Sequence, residues 1–299
     1  MQDRYVGDVG DFAKFGLLRR LAEVGRRKLR LGVVWCAFPD ESHNGDGRHV
    51  AYLRNETFAA LDPDLHARLR GLVDGRRRTM RDVEVSGILP KRTLFYREPC
   101  SGLAGNAGTV GLRRQAHRTA WLAGALSATE AADLVFFDPD NGIATPLTPR
   151  LGPKSGKFIF KDELMPFWGR GQSLVIYHHL NRTCTAEIQT IRLEADLAGT
   201  FPGAPRVIPL LFRRGSCRHF WIVGQPSHAA TLGKAAEAFL ASGWSTHFSP
   251  LARLLQSSTR SAGLVPSQST RTPSGPSTTC SIKSRTTGRN SPRRAAGSK

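Results

Sequence analysis

Apolar residues in this chain gather into short dense runs, separated by stretches in which they recur at helical spacing. The runs over 29–38, 93–96, 133–137, 173–177, 206–212 and 219–223 read as strands. Several are apolar at consecutive positions, the pattern of strands covered on both faces. Helical patterns lie between them. In 11–24 the residues Phe12, Phe15, Leu17, Leu18 and Leu21 are apolar, and in 62–73 Asp62 can cap while Pro63 suits the first turn. Further helical patterns cover 112–126, 184–197 and 231–241. Strand and helix in alternation predict the α/β class, a single Rossmann-like domain over 1–250 with a mostly parallel sheet flanked by helices. The segment 243–248 offers a further strand, and the pattern leaves an antiparallel end to the sheet open.

The pattern stops near residue 250. From 251 to 299 the chain is rich in Ser, Thr, Pro and Gly, has no aromatic residue, and carries nine Lys and Arg with no acid. Such a segment cannot bury enough apolar surface to offset the entropy of ordering, so a disordered, basic C-terminal tail is predicted. It is a nucleic-acid-binding arm, an inert extension or a frame-shifted end. The whole chain has 43 Lys and Arg against 24 Asp and Glu, a net +19; with +9 in the tail, the first 250 residues keep +10. This basicity excludes an acidic secreted enzyme and points to nucleic acid as partner. No apolar run approaches the ~20 residues that span a bilayer, and the start of the chain has no signal-peptide pattern, so no membrane partner and a cytoplasmic location are expected. Five cysteines scattered singly fit a reducing compartment.

In open α/β sheets ligands bind beyond the carboxyl ends of the strands, so polar residues just after an apolar run are the candidates for chemistry. The sharpest case is 133–142. Four apolar residues deliver Asp138, Pro139, Asp140 and Asn141 to a strand end, and Gly142 lets the backbone turn away. Proline holds the preceding Asp138 extended. Two carboxylates and an amide there can accept hydrogen bonds from a substrate amine or hold a divalent metal. The loop after 29–38 carries Gly45 and Gly47 among Asp40, Glu41, Asn44 and Asp46, a composition that lets a ligand approach the backbone closely. Near the start of the chain, Asp11 can cap a helix, and Asp8 and Lys14 are spaced to line its entrance. Finally, 173–177 runs into His178, His179, Asn181 and Arg182, which could grip a base or a phosphate. Adjacent histidines on a continuing strand point to opposite faces, so only one of the two can face a given pocket.

The order of these motifs resembles the class I S-adenosylmethionine-dependent methyltransferases, and more distantly the J-type ribosomal RNA adenine methyltransferases. Gly7, Asp11 and Lys14 fall on that group's N-terminal Gly-x-x-x-Asp-x-x-Lys spacing, and Asp138 and Pro139 on the first two positions of its Asp-Pro-Pro-Tyr motif. Asp140 and Asn141 replace the second proline and the aromatic residue, which in that group stacks on a flipped base. No acid stands directly at the end of the 29–38 strand, where the cofactor motif of that group begins.

The resemblance implies S-adenosylmethionine as cofactor, held by Lys14, Asp40, Gly45, Asp46 and Gly47. Asp138, Pro139, Asp140 and Asn141 would be catalytic, and His178, Asn181 and Arg182 would bind a nucleic-acid substrate. An alternative expectation is a Mg-dependent nuclease or phosphohydrolase with Asp138, Asp140, Asp162 and Glu163 on the metal and Lys161 or His178 on phosphate. A third is a non-catalytic α/β protein that binds nucleic acid or a partner.

Overall fold

The computed structural model describes residues 1–24, 28–42, 45, 47–100, 107–214 and 216–250. In chain order the elements are α1 (Val9–Glu23), β1 (Leu31–Val34), α2 (Glu56–Ala59), α3 (Pro63–Asp74), α4 (Met80–Val85), β2 (Leu94–Tyr96), α5 (Ala107–Ala128) and β3 (Leu134–Phe137). There follow β4 (Gly142–Ile143), β5 (Phe158–Ile159), α6 (Lys161–Gly169), β6 (Ser173–His179), α7 (Ala186–Thr200), β7 (Val207–Arg214), β8 (Ser216–Val223), α8 (Pro226–Leu240) and β9 (Phe248–Pro250).

Seven strands form one sheet in the order β2-β1-β3-β6-β8-β7-β9, and β4 and β5 form a separate two-stranded ladder. β2, β1, β3 and β6 are parallel neighbours. β8 pairs antiparallel with both β6 and β7, and β9 antiparallel with β7, so five of the seven strands share one direction. The mostly parallel α/β sheet is as the apolar runs predict, and its end is antiparallel.

Consecutive apolar residues serve both faces of the sheet. Leu134 and Phe136 of β3, Val175 and Tyr177 of β6 and Phe220 of β8 enter one core with α1, α3 and α8. Val135, Phe137, Leu174, Ile176 and Trp221 enter the other with α5, α6 and α7. All four residues of β3 are fully buried, the burial pattern of a strand covered on both sides.

Local signals explain the boundaries. Asp62 caps α3 through Leu65 N–H at 3.0 Å and Thr185 caps α7, both ahead of the helices they start. Several elements depart from the sequence pattern, the short α2, α4, β4 and β5 among them. α6 carries Pro166 in its interior, which removes one backbone donor and breaks its periodicity, yet Leu164, Phe167 and Trp168 bury enough surface to hold it. The segment 243–246 is a 3₁₀ turn, and the strand begins only at Phe248. The run 29–38 is a strand only over its central four residues. No helix among the described residues is long and apolar enough to cross a membrane. The tail from 251 lies outside the described residues.

From β1 the chain passes to β2 on one side of the sheet and then returns to β3 on the other. That reversal opens a crevice at the carboxyl ends of β1 and β3, where open α/β sheets place their ligands.

Candidate active site

Asp138 is the first residue beyond β3, and its N–H donates to Val34 O at 3.0 Å, so the side chain starts at the strand ends. The first turns of α1 face it. Asp8 caps that helix through Gly10 N–H at 2.8 Å. One and two turns further on, Asp11 and Lys14 share a face. Lys14 Nζ sits 2.7 Å from Asp11 Oδ1 and 2.6 Å from Asp138 Oδ2, with all three side chains buried. Asp11 Oδ2 accepts from Gly7 N–H at 3.1 Å.

Burial opposes the charge on Lys14, but the two carboxylates together outweigh it and hold the ammonium above the ordinary lysine range. Burial pushes the Asp11 carboxyl up to about 6 against the pull of Lys14. Among the described residues Lys14 is the side chain bonded to the Asp138 carboxylate, through Oδ2. Asp138 itself lines the pocket described below.

Asp140 is neutralised differently. The Met1 ammonium lies 2.8 Å from Oδ1, Gln2 Nε2 donates to Oδ2 at 2.5 Å, and Lys157 Nζ stands 3.8 Å away. Burial works against its charge, but the ammonium and Gln2 more than compensate and lower its pKa. Lys157 also pairs with Glu41. Asn141 is held through its backbone, donating to Lys157 O at 2.9 Å and accepting from His179 N–H at 3.2 Å.

These groups surround a pocket of about 420 Å³. Asp8, Asp11, Asp138 and Asp140 make its floor acidic, while Arg182 and Arg218 bring positive charge to it, and Tyr5 and Tyr177 supply aromatic surface. Of the residues expected from the sequence, Asp8, Asp11, Lys14, Gly47, Asp138, Pro139, Asp140, Asn141, His179 and Arg182 line this pocket.

Others are placed elsewhere. Asp40 is exposed and accepts from Arg4 N–H at 3.2 Å, so its carboxylate serves the chain's own backbone. Gly45 is exposed and outside the pocket lining, and Asp46 lies outside the described residues. At Gly47, with φ +81°, a Cβ would stand 2.3 Å from Arg4 O. The close approach at that glycine is therefore to the N-terminal segment of this chain. Asn181 spends its side-chain oxygen on Thr183 N–H at 2.9 Å.

His178 does not face the pocket. Strand alternation puts Tyr177 and His179 on the pocket side, and His178 on the other face, where its Nδ1 accepts from Ile143 N–H at 3.1 Å. His179 is the pocket histidine. The alternation of 177 and 179 carries that signal in the sequence. Arg218, cross-strand from His179, carries none, since the pairing of β6 with β8 is not local.

The metal set is not assembled either. Asp162 pairs with Arg150, and Glu163, 2% exposed, takes a two-point contact from Arg118, including Nη2 to Oε2 at 2.8 Å. Lys161 pairs with Asp196. No group of three or more His, Cys, Asp or Glu that could hold a metal occurs among the described residues. Glu163 is a structural partner instead. Arg118 also donates to Ser155 O at 3.0 Å and Phe158 O at 2.8 Å, tying α5 to the segment that returns to the site. Arg118→Met is expected to lower stability by about 3–5 kcal/mol, because it strands the Glu163 carboxylate in the core. Urea unfolding at neutral pH measures this; a loss below about 1 kcal/mol would mean that water reaches Glu163.

Comparisons with family models, curated proteins and solved structures found no match to this chain.

Proposed function

We propose that this chain is an S-adenosylmethionine-dependent methyltransferase acting on nucleic acid. The observation that carries the proposal is the Asp138 carboxylate, which lines the pocket at the reversal of a Rossmann-like sheet with its Oδ2 locked by buried Lys14. A pocket of about 420 Å³ is of a size for a nucleoside-bearing molecule.

The donor set fits S-adenosylmethionine, which is cationic at sulfur and at its amine and anionic at its carboxylate. The carboxylates of Asp8 and Asp11 suit the cationic groups, and Arg218 or Arg182 suits the carboxylate. When bound, the cofactor supplies an electrophilic methyl group. The protein's part is to orient the acceptor and take up its proton. Asp138 accepts a hydrogen bond from an acceptor amine, and Lys14 holds the carboxylate in one orientation, so that catalysis rests on alignment. Arg182 and the net +10 of the first 250 residues favour a phosphate-bearing acceptor.

Isothermal titration with S-adenosylmethionine and its demethylated product, followed by transfer of labelled methyl groups to RNA and DNA, tests the proposal. Binding of both and label in one nucleic acid are expected. Absence of binding at millimolar ligand would overturn it, and RNA binding without cofactor binding would make the protein a scaffold.

A further inference from the structure

The segment that carries Asp138, Pro139, Asp140 and Asn141 is shaped from beneath by a histidine on the far side of the sheet end. His178 Nδ1 accepts from Ile143 N–H at 3.1 Å, and the next residue, His179, donates its own N–H to Asn141 O at 3.2 Å. Between these two bonds lies Gly142, with φ +105°. A Cβ there would stand 2.6 Å from both Cα and Nδ1 of His178, so backbone and imidazole are in direct contact. The segment therefore leaves the strand, reverses over His178 and continues as β4.

We propose that His178 is the positioning residue of this segment: as a neutral imidazole it accepts the Ile143 N–H, and so fixes the reversal that aims Asp138, Asp140 and Asn141 into the pocket. Only the unprotonated Nδ1 can do this. A proton there would set one donor against another and open the reversal. The surroundings keep the ring neutral. Burial first, and then the neighbouring His179, push its pKa down to about 4.

The groups that face His178 can be enumerated. β4 presents only backbone and the apolar Ile143, β6 presents His179, and β8 presents His219 directly across the ladder. His219 is itself neutral, pushed down to about 3 mainly by burial, with His178 and Arg213 adding to it. Its Nε2 lies 2.8 Å from the Thr190 hydroxyl, which donates to Ala186 O, so His219 is the donor in that contact. Arg213 of β7 is balanced by Glu187 of α7 at 3.7 Å. No carboxylate faces His178 among these groups, so acid finds nothing there to stabilise its cation.

The test compares His178→Ala with His178→Asn, whose amide oxygen can take the place of Nδ1 as acceptor. Hydrogen exchange of the full chain, corrected for intrinsic rates, reads the Ile143 amide, and titration with S-adenosylmethionine reads the pocket. In His178→Ala the amide should exchange about tenfold faster or more and the affinity should fall about tenfold, the effect of one buried hydrogen bond. In His178→Asn both should stay within about twofold of the parent. Between pH 6 and 4 the parent should lose protection at Ile143, and His178→Asn should not.

Unchanged exchange at Ile143 in His178→Ala, or equal acid sensitivity in parent and Asn variant, would overturn the positioning role. If His178→Ala does not fold, the pH comparison between parent and Asn variant still decides. The affinity arm rests on the proposed cofactor and the exchange arm does not, so failure to bind S-adenosylmethionine at all would reject the activity and leave His178 to be judged by exchange.

Discussion

Lys14→Met is expected to destabilise the fold by about 3–5 kcal/mol at pH 7.5, and by clearly less at pH 5. At the higher pH the variant leaves the Asp11 and Asp138 side chains buried with their shared cation gone, so their desolvation is uncompensated. The direction of the pH effect follows from Asp11. Its pKa of about 6 in the fold lies above its ordinary 3.8, so the folded state binds the proton more tightly than the unfolded chain. Its contribution therefore favours the fold in acid and is lost as pH rises through 6. Without Lys14, the attraction that holds Asp11 down disappears, and the carboxyl takes up a proton at still higher pH. At pH 5 one of the two stranded charges has gone. Urea unfolding of parent and variant at both pH values measures this. Adding Asp11→Asn to Lys14→Met should recover part of the loss at pH 7.5 and little at pH 5, a coupling expected only of groups in contact. A pH-independent loss would mean that Lys14 matters for packing alone.

Asp138→Asn should act mainly on chemistry. The amide keeps the carboxylate's shape, and Lys14 retains Asp11 as its partner, so the cost in stability should be about 1–3 kcal/mol, the range for a hydrogen bond to a charged group. Methyl transfer should fall by about 10²- to 10⁴-fold, the usual contribution of a positioned acid or base. Cofactor affinity should change far less than the rate, because the lost group acts on the acceptor. Single-turnover transfer alongside titration separates the two effects. Retention of the full rate would remove Asp138 from the reaction.

The fold was legible because its signals are local. Runs such as 133–137 are apolar on both faces, and caps such as Asp62 stand just ahead of the helices they start. α6 was hidden by Pro166, since a helix that gives up a backbone bond and recovers it through packing leaves no regular pattern.

For the site, the strand-end rule located Asp138 to Asn141, and alternation limited the pocket to one of the two histidines. Partners distant in sequence could not be read. Lys14 and Asp138 meet across 124 positions, and Glu163 looked like a free ligand because Arg118, which neutralises it, lies 45 residues earlier. Asp40 and Gly47 had the composition of a ligand loop but spend it on Arg4, a contact that only the tertiary structure creates.

The order of strands at the far end of the sheet bears on when the pocket can exist. β8 lies between β6 and β7, so β6 remains an open edge until the β7–β8 hairpin, formed by neighbouring segments, docks on it as a unit. Arg218 travels with that hairpin and faces the same cavity as Asp8 and Lys14, some two hundred positions earlier in the chain. A nascent chain on the ribosome can therefore assemble β1, β3 and the Lys14 cluster while the cavity still lacks a wall, and the unpaired edge of β6 is then its point of greatest exposure to misassociation.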